Sequence, residues 1–507
     1  MPNKFFITTP IYYVNDVPHI GHAYTSIATD FIARYKRMSG VDTLFLTGTD
    51  EHGQKIQKAA INNSVEPITL CNENSEKFRE LTKLLNLSND DFIRTTEQRH
   101  IDGAKALWNK LLDSNDIYLD KYKGWYSVSD ETFYNEKDLD KQTDGSFKTF
   151  TGGPVDWIEE ESYFFRLSKY SDQLLKFYEK NPDFIFPKSR KNEVVSFVKS
   201  GLKDLSISRN TFDWGIKVPN NEKHVMYVWL DALSSYPNSL GYILDSNSEL
   251  SSYWSNSTHI VGKDILRHHA VYWPAFLMSA QLDLPKRIFA HGWWTNEGNK
   301  ISKSLGNAID PIEIIQQFGL DQIRYFLLRE ITFGSDGDFS IEALKSRVNA
   351  DLSNDLGNLC QRSLTMIIKH CDAHIPTNKN ITESDRNFLA KISLEIANLT
   401  SHVDNQEINI YIKKIWDIIA STNKYFNDNK PWELKDTNKE NFDNVLYVTA
   451  EIIKQLGIII YPIMPDTSNR ILSFYNIDVK NITLDTLNYD LTGTKMNEVK
   501  PIFPRLE

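Results

Sequence analysis

At 507 residues, 41% of them hydrophobic and 24% charged, the chain is too long for one hydrophobic core and is expected to form roughly two to four globular domains. Cys71, Cys360 and Cys371 lack the spacing of a disulfide framework or zinc knuckle, and no run nears the ~18 apolar residues of a membrane span, which points to a soluble protein of a reducing cytoplasm. The formal net charge of −10 excludes a broadly basic surface, so any contact with nucleic acid must come from lysines and arginines gathered on one face.

Phe5–Thr9 reads as a strand and Pro10–Pro18 as a turn region. Ile20, Tyr24, Ile27, Phe31, Tyr35 and Met38 then recur at spacings of three and four, which predicts a long helix with Gly40 at its C-terminal cap. A second β-type run, Thr43–Thr47, leads through Gly48-Thr49-Asp50-Glu51-His52-Gly53 into another helix. This alternation predicts a parallel α/β sheet, whose ligands sit at the carboxyl ends of the strands, where Pro10–His22 and Gly48–Gly53 fall. From Tyr118 to His224 the chain turns rich in Tyr, Phe, Gly and charge, with short strand-like runs at Lys123–Val128, Thr132–Asn135 and Ser162–Leu167; this reads as an insertion. Strand-like alternation resumes at His224–Ala232, His259–Val261 and Arg287–His291. From about Leu356 amphipathic helices dominate. Phe388, Ile392, Ile396, Leu399 and Val403 form one apolar stripe, and Ile408, Ile412, Ile415, Ile419 and Phe426 another.

Two segments have the chemistry of phosphate binding. Pro18-His19-Ile20-Gly21-His22 opens the first helix, where free backbone N–H groups and the helix dipole receive anions. Gly21 permits close approach of a flat ring, and His19 and His22, one turn apart, can donate to phosphate oxygens. The same pair also fits two metal ligands in need of a third, or ordinary surface histidines. Gly298-Asn299-Lys300-Ile301-Ser302-Lys303-Ser304-Leu305-Gly306 sets two lysines and two serines between glycines, a basic loop with donors for a polyphosphate; alone, such a loop is usually a solvated turn.

Together these motifs resemble the paired signatures of class I aminoacyl-tRNA synthetases. His19-Ile20-Gly21-His22 matches His-x-Gly-His at every position, and Lys300–Ser304 matches Lys-Met-Ser-Lys-Ser with Ile301 in place of Met. Further segments resemble the methionyl-tRNA synthetase family over nearly the whole chain: Thr8–Asn15, Gly48–Gly53, Val228-Trp229-Leu230-Asp231-Ala232, Gly262–Arg267 and Tyr272-Trp273-Pro274. The resemblance implies a Rossmann-like catalytic domain in two halves, 1–117 and 225–299, split by a connective insertion at 118–224. A loop and stem-contact region, 300–355, and a helical anticodon-binding domain, 356–507, would follow.

The resemblance also implies roles. His19, His22, Lys300 and Lys303 would be catalytic, and Gly21, Asp264 and Ser302 would join them in holding ATP, Asp264 at the ribose. Asp50 would bind the methionine ammonium. Ile11, Tyr13, Trp229, Ala232, Tyr236 and His269 would line the side-chain pocket, with Tyr13 and His269 offering weak hydrogen bonds to the thioether. Asn354, Asn358 and Arg362, spaced by four on one helix face, and Trp432 would read the anticodon. Taken as residues alone, Trp229 and Tyr236 fit core aromatics equally well, and Trp432 a side chain sealing a bundle. His268 departs from the family pattern, where phenylalanine is usual. Ser127 and Asp130 stand where the zinc-bearing branch carries cysteines, so no structural zinc is expected. The expected cofactor is ATP with Mg2+, the expected partners are methionine and tRNA(Met), initiator included, and a monomer is expected. A synthetase for another amino acid, a nucleotidylyltransferase and a non-catalytic tRNA-binding paralogue are the rival readings.

Overall fold

Phe5, Phe6, Ile7 and Thr8 are buried in the strand Lys4–Thr8 (β1), as a parallel sheet covered on both faces by helices demands. The computed structural model describes residues 4–506 except 16, 128–131, 135, 151, 297–298, 301–308 and 378–379. Its main sheet has seven strands: β1, Tyr12–Tyr13 (β2), Asp42–Asp50 (β3), Asp91–Arg94 (β4), Ile185–Phe186 (β5), Ser257–Gly262 (β6) and Arg287–His291 (β7). Their order is β5-β7-β6-β1-β3-β2, with β4 also on β3, and every pairing is parallel. The chain leaves β1 toward β3 and later returns to its other side at β6, so the strand order reverses at β1. A crevice must open at the carboxyl end of β1.

The helix Ile20–Met38 (α1) forms as its spacing predicts, with Ile20, Tyr24, Ile27, Phe31, Tyr35 and Met38 all buried; Ser39 caps it, one residue before Gly40. β3 runs on to Asp50, three residues beyond the predicted run, which carries Gly48, Thr49 and Asp50 into the sheet. In the insertion, Ile117–Ser127 and Asp156–Phe165 pair antiparallel, with Ile117 opposite Phe165 and Tyr126 opposite Asp156. Val128 and Asn135, at the ends of two predicted strands, lie outside the described residues.

One predicted strand is corrected. His224–Ala232 is a strand only in its first part, Asn221–Met226; Val228 starts a helix that runs to Ser239 (α2). Leu230, Asp231, Ala232, Leu233 and Tyr236 are all buried, so this helix has no solvent face, and even its polar stripe, Asp231, Ser234, Ser235 and Asn238, is enclosed. The stripe from Phe388 to Val403 belongs to two helices, Glu383–Ala397 and Leu399–Asp404, on either side of Asn398. Helices also begin before Leu356, at Pro311–Phe318, Leu320–Arg329 (α3) and Ile341–Arg347. The bundle behind them includes Asn358–His370 (α4), Ile408–Asn429 (α5) and Lys439–Ile459 (α6), and its core is continuous with the apolar side of α1.

A buried ionic cluster joins bundle to sheet. Asp30 of α1 accepts from Arg34 Nε at 2.7 Å and from Arg324 Nη2 of α3 at 2.6 Å, and from the Ser88 amide and hydroxyl at 2.7 Å each. Arg324 spends its other donors on the carbonyls of Leu85, Pro462 and Ile463. Burial alone would raise the Asp30 carboxyl, but Arg34, Arg324 and Ser88 outweigh it and hold it below the usual carboxylate range. Removing one member leaves a buried charge and bare carbonyls. Arg324→Met is therefore expected to cost ~3–5 kcal/mol of stability, read as a lowered urea midpoint; a loss under about 1 kcal/mol would contradict this role.

Candidate active site

The crevice is a cavity of about 690 Å3, and eleven of the side chains and backbones predicted to hold nucleotide and amino acid line it: Ile11, Tyr13, His19, Gly21, His22, Asp50, Trp229, Ala232, Tyr236, Asp264 and His269. They arrive from the loop after β1, β2, the start of α1, the end of β3, α2 and the segment after β6. Of the second phosphate segment, the backbone of Lys300 pairs with Thr295, itself a cavity residue. Gly298, Ile301, Ser302, Lys303, Ser304, Leu305 and Gly306 lie outside the described residues, as does Asp130. Ser127 is buried at the end of its strand.

The start of α1 is held by its own histidines. His19, in extended conformation, is the N-cap, and its Nδ1 accepts the Gly21 N–H at 3.1 Å. His22 Nδ1 accepts the His19 N–H, also at 3.1 Å, and the rings lie 3.9 Å apart. An Nδ1 that accepts leaves the ring proton on Nε2, so each neutral imidazole is an Nε2–H donor. Gly21 has a further reason to be glycine: a Cβ there would sit 2.9 Å from His19 Cε1 and push out the cap. Among the described residues no group of three or more His, Cys, Asp or Glu is placed around a metal position.

Asp50 is followed by two anchored residues. Glu51 takes a two-point contact from Arg94, at 2.7 and 2.9 Å, plus the hydroxyls of Thr49 and Thr96. His52 Nδ1 meets Asp231 Oδ2 at 2.7 Å, and His100 Nε2 meets Asp231 Oδ1 at 2.6 Å. Burial would raise Asp231, but His52 and His100 hold it at about 2. Asp231 belongs to α2, which also carries Trp229, Ala232 and Tyr236. The end of β3 that carries Asp50 and the aromatic wall are thus tied together through His52 and Asp231. The sequence reading missed Glu51, His52, Arg94, His100 and Asp231 as support; their only signal was three titratable residues in a row at a strand end.

The pocket aromatics correct one expected role. His269 Nδ1 lies 2.9 Å from the Ile265 carbonyl, which can only accept, and burial lowers the imidazole to about 4. Its neutral Nε2 must then accept the Tyr236 hydroxyl at 2.7 Å, leaving His269 no N–H for a thioether. His268, where phenylalanine was expected, lies flat on Trp229, with centroids 3.8 Å apart and planes 14° apart. Burial, with His269 and Arg267 nearby, lowers it to about 3, so it stacks as a neutral ring. At the end of β6, Trp293 Nε1 donates to Asp264 Oδ1 at 3.1 Å, and Lys263, paired with Asp336, lies 4.2 Å from the Trp293 ring centroid. Trp293 and Lys263 were not foreseen.

Residues 5–145 and 146–364 match a family model described as tRNA synthetases class I (M), and residues 375–493 one described as the anticodon binding domain of methionyl tRNA ligase. The methionine–tRNA ligase of Rickettsia conorii is 51% identical over 513 residues, with both chains covered in full. That of Rhizobium meliloti is 50% identical over 506 residues, covering 99% of this chain and 98% of the relative. The chain belongs to the methionyl-tRNA synthetase family. The structure of Mycobacterium tuberculosis methionyl-tRNA synthetase in complex with methionyl-adenylate superposes with a TM-score of 0.97 at 46% identity, covering all of both chains.

The second expected site of a methionyl-tRNA synthetase lies in the helical region. Asn354, Asn358 and Arg362 are all exposed, but not on one uniform helix: Asn354 sits in a widened π-helical stretch, Val348–Gly357, that continues into α4. Arg362 donates to Asn427 Oδ1 at 3.1 Å, and its guanidinium lies 5.5 Å from the Phe426 centroid and 5.7 Å from that of Trp432. Trp432 is 41% exposed, which for an indole on a bundle leaves a face for stacking.

The cap geometry makes a prediction. Gly21→Ala is expected to lower the rate of methionine activation at least about 100-fold, on the scale of losing one oriented donor, while the thermal midpoint stays within a few degrees. Activity near that of the unaltered protein would show that His19 does not need its cap.

Proposed function

We propose that this chain activates methionine with ATP and transfers the methionyl group to the 3′-terminal adenosine of tRNA(Met), initiator tRNA included. The observation that carries the reading is one cavity joining a histidine-capped helix start, a buried carboxylate and an aromatic wall. Asp50 receives the ammonium. Ile11, Tyr13, Trp229, Ala232, Tyr236 and His269 surround the side chain; sulfur–aromatic contact, ~0.3–1.5 kcal/mol, suits a thioether there. The methionine carboxylate attacks the α-phosphate in line, and pyrophosphate leaves with the electron pair of the broken P–O bond. His19 and His22 donate through Nε2–H from one side, and Lys300 and Lys303 with Ser302 act from the other; Gly21 and Asp264 hold the nucleotide. The tRNA 3′-adenosine hydroxyl, the 2′ hydroxyl first, then takes the acyl group from AMP. Mg2+ would arrive on the phosphates, whose oxygens suit it, since the described residues offer no ready cage.

With this reading go the division into 1–117, 118–224, 225–299, 300–355 and 356–507, a monomeric state, and work in the cytoplasm. No helix among the described residues is long and apolar enough to cross a membrane. Asn354, Asn358, Arg362 and Trp432 are assigned to the anticodon, because three exposed polar ends and a half-open indole suit splayed bases.

Pyrophosphate exchange against each amino acid tests the whole. Methionine is expected to drive it far above leucine, valine and cysteine, and a different winner would overturn the assignment. Lys303→Ala is expected to lower the exchange rate much more than methionine affinity; equal losses would contradict its place on the phosphates. Trp432→Ala should weaken charging of tRNA(Met) by ~1–3 kcal/mol in kcat/KM, far more than it slows pyrophosphate exchange.

A further inference from the structure

Lys55 lines the cavity with Asp50 and has no part in the reading above; among the described residues that line it, no other is a lysine or arginine. It is the second residue of the helix Gln54–Asn62, whose N-cap, Gly53, takes a φ of 112°. That helix start is pinned in place. The Gly53 N–H donates to the Trp214 carbonyl at 3.1 Å, Trp214 Nε1 donates to the Glu51 carbonyl at 2.6 Å, and Gln57 Oε1 accepts the N–H groups of Asp213 and Trp214 at 3.1 Å each. The Lys55 ammonium lies 5.6 Å from the centroid of the Tyr13 ring. Tyr13 is the register partner of Asp50 in the parallel pair of β2 and β3, so the two side chains leave the same face of the sheet.

Three features make Lys55 ready for an anion. Among the described residues its ammonium forms no ion pair, and a ring face satisfies a cation only in part. The first turn of its helix holds no acidic residue, so the cation stands at the positive end of a helix dipole, where an incoming anion is favoured and a lone cation is not. Its side chain is also half-buried, which strengthens a charge pair formed there over one in open water. Asp50 then decides which anion fits. An amino acid carries ammonium and carboxylate on the same carbon, so with the ammonium on Asp50 the partner of the carboxylate must stand close by. His19 and His22 are engaged with the phosphates in the reading above, and His269 has no hydrogen to give.

We propose that Lys55 binds the carboxylate of methionine, so that Asp50 and Lys55 hold the two charged groups of the amino acid between them. The inference deepens the methionine reading above and rests on it. Lys55 holds one carboxylate oxygen while the other faces the α-phosphate as the nucleophile. When that second oxygen bonds to phosphorus the carboxylate loses its charge, so the pair with Lys55 is stronger for free methionine than for the adenylate. Lys55 therefore serves the capture and orientation of methionine more than the chemical step.

The test is calorimetric titration of the full chain, without ATP, at about pH 7.5, where lysine stays charged. The two ligands are methionine and methioninol, which keeps the ammonium and the thioether but has a hydroxymethyl group in place of the carboxylate. The unaltered protein is expected to bind methionine the more tightly. Lys55→Met should weaken methionine at least about tenfold, the scale of a hydrogen bond to a charged group, and leave methioninol nearly unchanged; Lys55→Arg should keep most of the preference. Methioninol binding also reports that the variant has folded. Equal losses for both ligands, or no loss of methionine, overturn the inference and leave the methionine pocket standing. A Lys55→Met variant that loses affinity for Mg·ATP instead overturns it in favour of a phosphate contact. If the unaltered protein binds neither methionine nor methioninol, the functional reading falls and this inference with it.

Discussion

Asp30 is a buried charged point at which sheet and bundle are joined. Its carboxylate, fully buried on α1, meets guanidinium groups from α1 itself and from α3, and Arg324 in turn grips the backbone at Pro462 and Ile463, just past α6. Taking a carboxylate and two guanidiniums out of water is costly, and only a complete set of partners offsets that cost. Here the set is complete on the carboxylate: two guanidiniums, an amide and a hydroxyl. Such a cluster specifies geometry more than it adds stability, because any shift of the bundle against α1 exposes a bare charge. The start of that same helix carries His19, Gly21 and His22, so the orientation of its cavity end is fixed from its middle.

The same logic recurs around Asp50. Asp50 lines the cavity at the end of β3, and the two residues after it are anchored to separate parts of the fold. Glu51 is held through Arg94 and His52 through Asp231. Because Asp231 lies on α2, the anchor of the carboxylate and the aromatic wall cannot move independently. Preorganisation of this kind lowers the cost of orienting a substrate.

Much of this was legible in the sequence, and the failures have physical causes. The α1 stripe announced itself because six large apolar residues recur at helical spacing over nineteen positions; α2 is shorter and follows directly on a strand, so its first residues read as a continuation of that strand. The cavity residues were found through short segments whose chemistry is local. What escaped were pairings across the fold: Asp30 and Arg324 are 294 positions apart, Asp231 and His100 131 apart, and no pattern along the chain links them. The role of His269 was misjudged for a related reason. Whether an imidazole nitrogen gives or takes a hydrogen is decided by its partners, here the Ile265 carbonyl, and partners belong to the tertiary structure.

That point reaches beyond one residue. Each of four cavity histidines has its proton placed by a main-chain group. His19 and His22 accept amides at Nδ1 and so carry hydrogen at Nε2; His269 gives its Nδ1 hydrogen to a carbonyl and so accepts at Nε2. His291 also faces a carbonyl through Nδ1, and its Nε2 meets the Thr25 hydroxyl at 2.8 Å, which can donate to it. Backbone geometry, set by where the helix starts and the strand ends, thus distinguishes rings that present Nε2–H from rings that accept at Nε2. A lysine in any of these places would carry charge without that discrimination, since an ammonium has three equivalent donors and no acceptor. The use of histidine at this site follows from the need for different hydrogen-bonding roles on side chains only a few ångströms apart.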